Sequence, residues 1–299
     1  MNRNFLLDVV RIFATALVVV AHVGQRLDHW VGDGFGISNF YFVSLGGLAV
    51  SIFIILSGVV LMIGKPPSSY WSFLRKRLQR IYPTYWICLF IAVLIKVAYL
   101  LVTDSEGLFS NGGWLWNISL SVTGFYAFAG EWGGPFTATS WYIGLIVSLY
   151  LMFPFLRSMI VKAPFVTIIT TFVVTLVVRL IIGGYFENSY RMLDWFPLGR
   201  VFEFTLGIYL SGVVIKRTKG IQVNKTVSKL SSWLADVSFP LFLIHYPLLY
   251  IITFLKGYIG WEAATFLYLI ISFMVSHIVL IIERKLVISR FNKKKQVSQ

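Results

Sequence analysis

Two ionisable side chains, Arg11 and His22, stand in a stretch, 5–24, that is otherwise long and apolar enough to cross a bilayer. A charge held in hydrocarbon is costly, so such a residue marks a functional position by default. Eleven helical steps of about 100° return to nearly the same face, with a rise of about 16 Å. Arg11 and His22 therefore share one side of one helix, three turns apart. Asp8 lies three residues before Arg11 on that face and can pair with it. Histidine changes charge near neutral pH, which suits His22 to taking a proton from a hydroxyl. Taken alone, such a residue is more often an interfacial histidine solvated by headgroups; Arg11 and Asp8 on the same face favour function.

Other residues carry chemistry at suggestive spacing. Arg77 and Arg80 share a helical face in the basic segment 73–83, where two guanidinium groups can grip phosphates by bidentate hydrogen bonds. The plainer reading is a basic anchor against lipid. Arg200 and Glu203, three apart, can neutralise each other, or Glu203 can orient His22. His245 is bracketed by Pro240 and Pro247, which predicts a kinked helix with free carbonyls lining a cavity. It can equally be a structural bond between helices. Lys96 and Arg179 fall near span ends, where long cationic side chains snorkel. Ser57 sits beside Gly58 at a position read as close helix packing. His277 has no motif around it.

These residues need a membrane scaffold to position them. The 299-residue chain is 58% hydrophobic and 13% charged, with a mean hydropathy of +0.79. That composition predicts an all-α, polytopic transmembrane helical bundle. Its net charge of +14 is explained by cytoplasmic loops and contact with anionic lipid rather than by nucleic acid. The single cysteine, Cys88, permits neither an intrachain disulfide nor a cysteine metal cluster, and no metal is expected. Eight firm spans are predicted at 5–24, 43–64, 81–102, 140–155, 164–183, 195–214, 237–255 and 261–282. A ninth stretch, 114–129, is partial or re-entrant, because both its flanks look external. Asp8 and Arg11 interrupt the first stretch, so it is read as a retained span rather than a cleaved signal. Lys and Arg cluster at 65–80, 216–229 and 284–295, which places both termini in the cytoplasm. Residues 1–285 then form the membrane domain and 286–299 a basic cytoplasmic tail.

The motifs in order resemble the acyltransferase-3 family of integral membrane O-acyltransferases, which modify bacterial surface polysaccharides and glycoconjugates. Leu7-Asp8-Val9-Val10-Arg11 with His22 is similar to the family's opening Leu-Asp-x-x-Arg and its Arg, ten residues, His. Phe53 to Gly58 resembles Phe-Phe-x-Leu-Ser-Gly. Arg77 and Arg80, followed by Pro83, resemble a cytoplasmic Arg-x-x-Arg. Trp141-Tyr142-Ile143 with Tyr150 and Pro154 resembles a Trp-x-Leu segment that ends in Tyr and Pro. Arg200, Glu203, Phe204 and Gly207 resemble Arg-x-x-Glu-Phe-x-x-Gly, and Ser238 to Pro247 resembles a Ser-Tyr-x-x-Tyr-Leu-x-His-x-Pro segment. Ile146 stands where many members have Glu, and the family is usually assigned ten spans.

The resemblance implies a multi-pass protein of the bacterial cytoplasmic membrane that moves an acetyl or other short acyl group from acetyl-CoA to a glycan or lipid-linked sugar. It implies His22, Arg11 and Glu203 as catalytic residues, with Arg77, Arg80 and Arg11 holding the donor. Asp8, Arg200, His245 and Trp141 fall to the acceptor. The implied roles leave Arg11 about three turns from His22, too far to steady an oxyanion beside it. The main alternative is a transporter or flippase for a lipid-linked sugar, with the same charges as its path; no inverted repeat supports it. An accessory synthase subunit without chemistry of its own gives no reason for charges in the first span.

Overall fold

The computed structural model describes residues 4–27, 45–64, 69–103, 114–129, 134–185, 189–218 and 223–297. Among the described residues the regular elements are helical, with no strand. In chain order the helices are α1 (Phe5–Leu27), α2 (Leu45–Ile63), α3 (Tyr70–Thr103), α4 (Trp114–Thr123), α5 (Trp141–Lys162), α6 (Pro164–Tyr185), α7 (Ser189–Trp195), α8 (Val201–Thr218), α9 (Lys225–Leu248), α10 (Tyr250–Ile259) and α11 (Trp261–Val297). Short 3-10 turns at Tyr126–Ala129, Ala138–Ser140 and Pro197–Gly199 join some of them. Seven helices, α1, α2, α3, α5, α6, α9 and α11, are long and apolar enough to cross a membrane.

The expected span 195–214 resolves differently. Its first residues form the 3-10 turn at Pro197–Gly199, and α8 is 18 residues long only by including Glu203, Lys216 and Arg217. The expected span 237–255 is also divided. α9 starts earlier, at Lys225, where the Asn224 side chain accepts from the Thr226 N–H at 2.8 Å and caps it. It stops at Leu248, and Leu249 breaks the run before α10. The segment expected to be re-entrant is the short helix α4 followed by the 3-10 turn Tyr126–Ala129. Three ring donors of α3 meet the carbonyls that end α4: Tyr82 Oη donates to Thr123 O at 2.7 Å, Trp86 Nε1 to Val122 O at 2.9 Å, and Tyr85 Oη to Ser121 O. Carbonyls at a helix end run short of helical donors, and away from water side-chain donors supplement them; Ser121 O also accepts from the Gly124 N–H at 3.1 Å. The basic stretch 286–299 is not set off by a break, because α11 runs on to Val297.

α9 is central and packs against α1, α3 and α11, while α2 lies between α1 and α8. The α2–α8 crossing is the tightest in the molecule. A Cβ on Gly58 would lie 2.3 Å from Phe204 O, and one on Gly207 would lie 2.1 Å from Ile55 O. Only glycine admits such a backbone approach, the usual device where helices cannot rely on a hydrophobic drive to associate. α6 turns polar side chains inward. Thr167, Thr171, Thr175 and Arg179 repeat every four residues and are buried, while Phe165, Val166, Ile169 and Leu180 are exposed. Arg179 does not snorkel. It is 4% exposed and donates to Leu193 O at 3.2 Å and Gly199 O at 3.1 Å, tying α6 to α7 and the following turn.

Candidate active site

The site begins with a defect in α9. Proline has no N–H, so Pro247 leaves the Leu243 carbonyl without its helical donor. The hydroxyl of Thr139, from the buried turn before α5, takes that place at 3.0 Å. The irregular step at Leu249 turns its N–H to Tyr246 O, and the freed His245 carbonyl accepts from Tyr268 Oη at 3.2 Å. The carbonyls expected to line a cavity are thus satisfied by neighbouring hydroxyls. These bonds fix the helical turn that carries His245, whose ring is fully buried.

His245 meets His22. Nδ1 of His22 lies 2.8 Å from Nε2 of His245, across the α1–α9 contact. Nδ1 of His245 lies 2.8 Å from Phe242 O and 3.2 Å from Leu241 O, so it carries a proton and donates it to the backbone. Nε2 of His245 is then a lone pair, and Nδ1–H of His22 donates to it. This leaves Nε2 of His22 as the unprotonated nitrogen, with no partner among the described residues. The chain of bonds selects one tautomer of His22 and orients its ring. The edge of that ring also packs against Tyr246, with centroids 5.2 Å apart.

Two cavities approach this pair from opposite ends of the bundle. The larger, about 290 Å³, is lined by Arg11, Arg77 and Arg80, with Asp236, Glu283 and Arg284 at the same end. Arg284 pairs with Asp236 at 2.7 Å. Arg77 lies over the Phe73 ring, 5.5 Å from its centroid, and its Nε is buried without a hydrogen bond among the described residues. The far wall of this cavity is aromatic. Phe53, Tyr142 and Phe242 pack with centroids 4.9 to 6.2 Å apart, and His245 stands behind Phe242 at 6.2 Å. The smaller cavity, about 140 Å³, is lined by His22, Gln25, Arg26, Tyr246, Leu249 and Tyr250. Arg11 and His22 share a helix face as expected but open into different cavities. The three turns between them are the separation of the two cavities.

The remaining predicted residues lie elsewhere. Glu203 does not orient His22. It accepts from Arg200 Nη1 at 2.8 Å and from Ser51 Oγ at 2.9 Å, while Arg200 Nη2 reaches Asp194 at 2.7 Å. Arg200 is 1% exposed, and this network binds α8 to α2 and α7. Charge neutralisation within the bundle, the plainer of the two sequence readings, accounts for it. Asp8 is buried and accepts from Ser232 Oγ at 3.1 Å, so it joins α1 to α9. Trp141 packs on the core beside Tyr142 and lines neither cavity. Ser57 lines the larger cavity, and the close packing predicted for it belongs to Gly58. Sequence reasoning missed Tyr246, Tyr250 and Arg26. Tyr246 is next to His245, and Arg26 is four residues after His22, so helical spacing was the available signal.

Comparison with known proteins bears on the chain as a whole. The model of an acyltransferase domain, acyltransferase-3, matches residues 4–225. The chain belongs to the acyltransferase-3 family. The family is one of acyltransferase domains, and seven helices of this chain are long and apolar enough to cross a membrane. The matched region holds Arg11, His22, Arg77, Arg80 and the α2–α8 crossing, and it ends where α9 begins, before His245. A regulator of hypoxia-inducible factor 1 from Caenorhabditis elegans is 31% identical over 144 residues, covering 44% of this chain. The chain spans 28% of that relative's length. No solved structure matches.

Proposed function

We propose that this acyltransferase-3 protein moves a short acyl group, acetyl in the simplest case, from acyl-CoA to a hydroxyl of a glycan or glycolipid. Donor and acceptor reach His22 from opposite ends of the bundle. The supporting observation is the His22–His245 pair, with its free Nε2, at the smaller cavity and behind the aromatic wall of the basic one. The Arg77 end is cytoplasmic in this reading, as the clustering of Lys and Arg there favours. Acyl-CoA phosphates meet Arg77, Arg80 and Arg11. The unpaired Nε of Arg77 is a buried donor that an anion would satisfy. The thioester arm follows the apolar wall, and rotation of the Phe53, Tyr142 and Phe242 rings admits it to His22.

The chemistry follows from the tautomer. Nε2 of His22 takes the proton of the acceptor hydroxyl while the oxygen attacks the thioester carbon. The resulting imidazolium keeps its Nδ1–H bond to His245, which supports the charge. The carbon–sulfur bond breaks, the sulfur leaves as CoA thiol with the proton from His22, and the new ester remains on the acceptor. General-base catalysis of this kind contributes about 10²- to 10⁴-fold. In liposomes with labelled acetyl-CoA, His22→Ala is expected to lose CoA release by at least that factor while inserting normally. Undiminished release in His22→Ala would overturn the assignment. Movement of a lipid-linked sugar without CoA release would favour a transporter.

A further inference from the structure

The smaller cavity carries an excess of positive charge around its aromatic wall. Arg26 lies one helical turn beyond His22 on α1. Its Nε donates to Thr253 Oγ1 at 2.6 Å, and its guanidinium carbon is 5.6 Å from the Tyr250 ring centroid. Lys96 of α3 donates to the hydroxyl of the same tyrosine at 3.3 Å, with its ammonium 5.5 Å from that ring and 5.8 Å from Tyr99. Tyr99 and Tyr250 stack with centroids 4.3 Å apart. Two cations therefore converge on one tyrosine, and among the described residues no carboxylate pairs with either. The tyrosine rings offset only part of this charge. Both terminal nitrogens of Arg26 are without a partner among the described residues, in a geometry suited to bidentate binding of a carboxylate or phosphate.

We infer that the acceptor is anionic: its acylated hydroxyl sits at His22 while a neighbouring carboxylate or phosphate is bound by Arg26, with Lys96 adding to the field. This rests on the acyl-transfer reading for the role of His22, but the anion site stands on its own geometry. Residues four apart on a helix face place their side chains about 5 to 6 Å apart. That distance fits a charged group on the acylated sugar itself or on the phosphate that links the sugar to a lipid. Tyr246 and Tyr250 line the same cavity as His22 and Arg26.

Three probes with the same glucose-type ring test the inference: octyl glucoside, octyl glucuronide and glucosyl decyl phosphate. Binding is read by saturation-transfer NMR to His22→Ala protein in nanodiscs of neutral lipid, so that turnover does not interfere. At least one anionic probe should bind about tenfold tighter than octyl glucoside, as expected of one charge-assisted contact. Arg26→Gln should remove that preference, Arg26→Lys should keep part of it, and added salt should weaken only the anionic probes. The glucuronide and phosphate arms show whether the charge belongs to the sugar or to its lipid linkage. Equal binding of all three probes, binding of none, or a preference unchanged in Arg26→Gln would overturn the inference. Release of CoA from labelled acetyl-CoA by the unsubstituted protein is the separate readout. Anionic preference without CoA release leaves the site standing and removes acyl transfer; release without the preference does the reverse.

Discussion

At the scale of single residues, the decisive contact joins positions 223 apart in sequence, His22 and His245. In the proposed mechanism His245 acts through His22, positioning that ring and supporting its charge. The prediction is graded. His245→Leu removes the acceptor of the Nδ1–H bond and should lower kcat by about tenfold or more, the scale of one lost buried hydrogen bond. His245→Gln can place an amide oxygen near the former Nε2 and should recover part of the loss. Both variants should keep the KM for acyl-CoA, and His245→Leu should alter the pH profile of kcat because the partner of the titrating ring has gone. Equal kcat values in all three proteins would show that the pair is only packing. Each histidine was visible in the sequence as an ionisable group in a span. Their meeting was not, because helical periodicity fixes a face and never names the helix opposite. Glu203 shows the same limit from the other side: its spacing to Arg200 was enough to predict their pairing, whereas its proposed reach to His22 needed a neighbour that periodicity could not supply.

At the scale of elements, the α2–α8 crossing sets the distance between the charged network of Arg200 and the cavity that Phe53 and Ser57 line. Gly58→Ala and Gly207→Ala each force a methyl into a backbone carbonyl. They should destabilise the protein by about 1–3 kcal/mol or more, the range for overpacking a tight contact. Gly184 and Gly212 lie in helices and have no atom within 4 Å of an added Cβ, so alanine there should leave stability unchanged or raise it by up to about 1 kcal/mol. Thermal melts of the four purified variants check the contrast, and equal melting temperatures would refute the close-contact account. Most helices were legible in the sequence because long apolar runs leave few alternatives. The failures came where hydropathy and helical geometry part. The basic residues 75–80 belong to the same helix as the span after them, and α9 begins twelve polar-rich residues before its apolar core. The break at Leu249 depends on donors from Thr139 and Tyr268 that no local pattern announces.

At the scale of the whole molecule, the proposed reading divides the residues of the two cavities by partner. Arg77→Ala and Arg80→Ala should raise the KM for acyl-CoA by about tenfold or more and leave the acceptor KM unchanged. In liposomes with the protein inserted one way round, acyl-CoA supplied only on the Arg77 side should support product formation; activity with acyl-CoA supplied only on the His22 side would refute the assignment of donor to basic cavity. Charge bias between loops is the sequence's argument for this polarity, and composition foretold a bundle of long apolar helices. Neither held information about where the bundle is hollow, since cavities arise from how separate helices lean on one another. The wall of Phe53, Tyr142 and Phe242 has a consequence for the membrane as a barrier. A packed aromatic partition between the two chambers offers ions and protons few polar groups to follow. In the proposed reading, such a wall lets a reactive group pass outward without short-circuiting the electrochemical gradient across the bilayer that houses it.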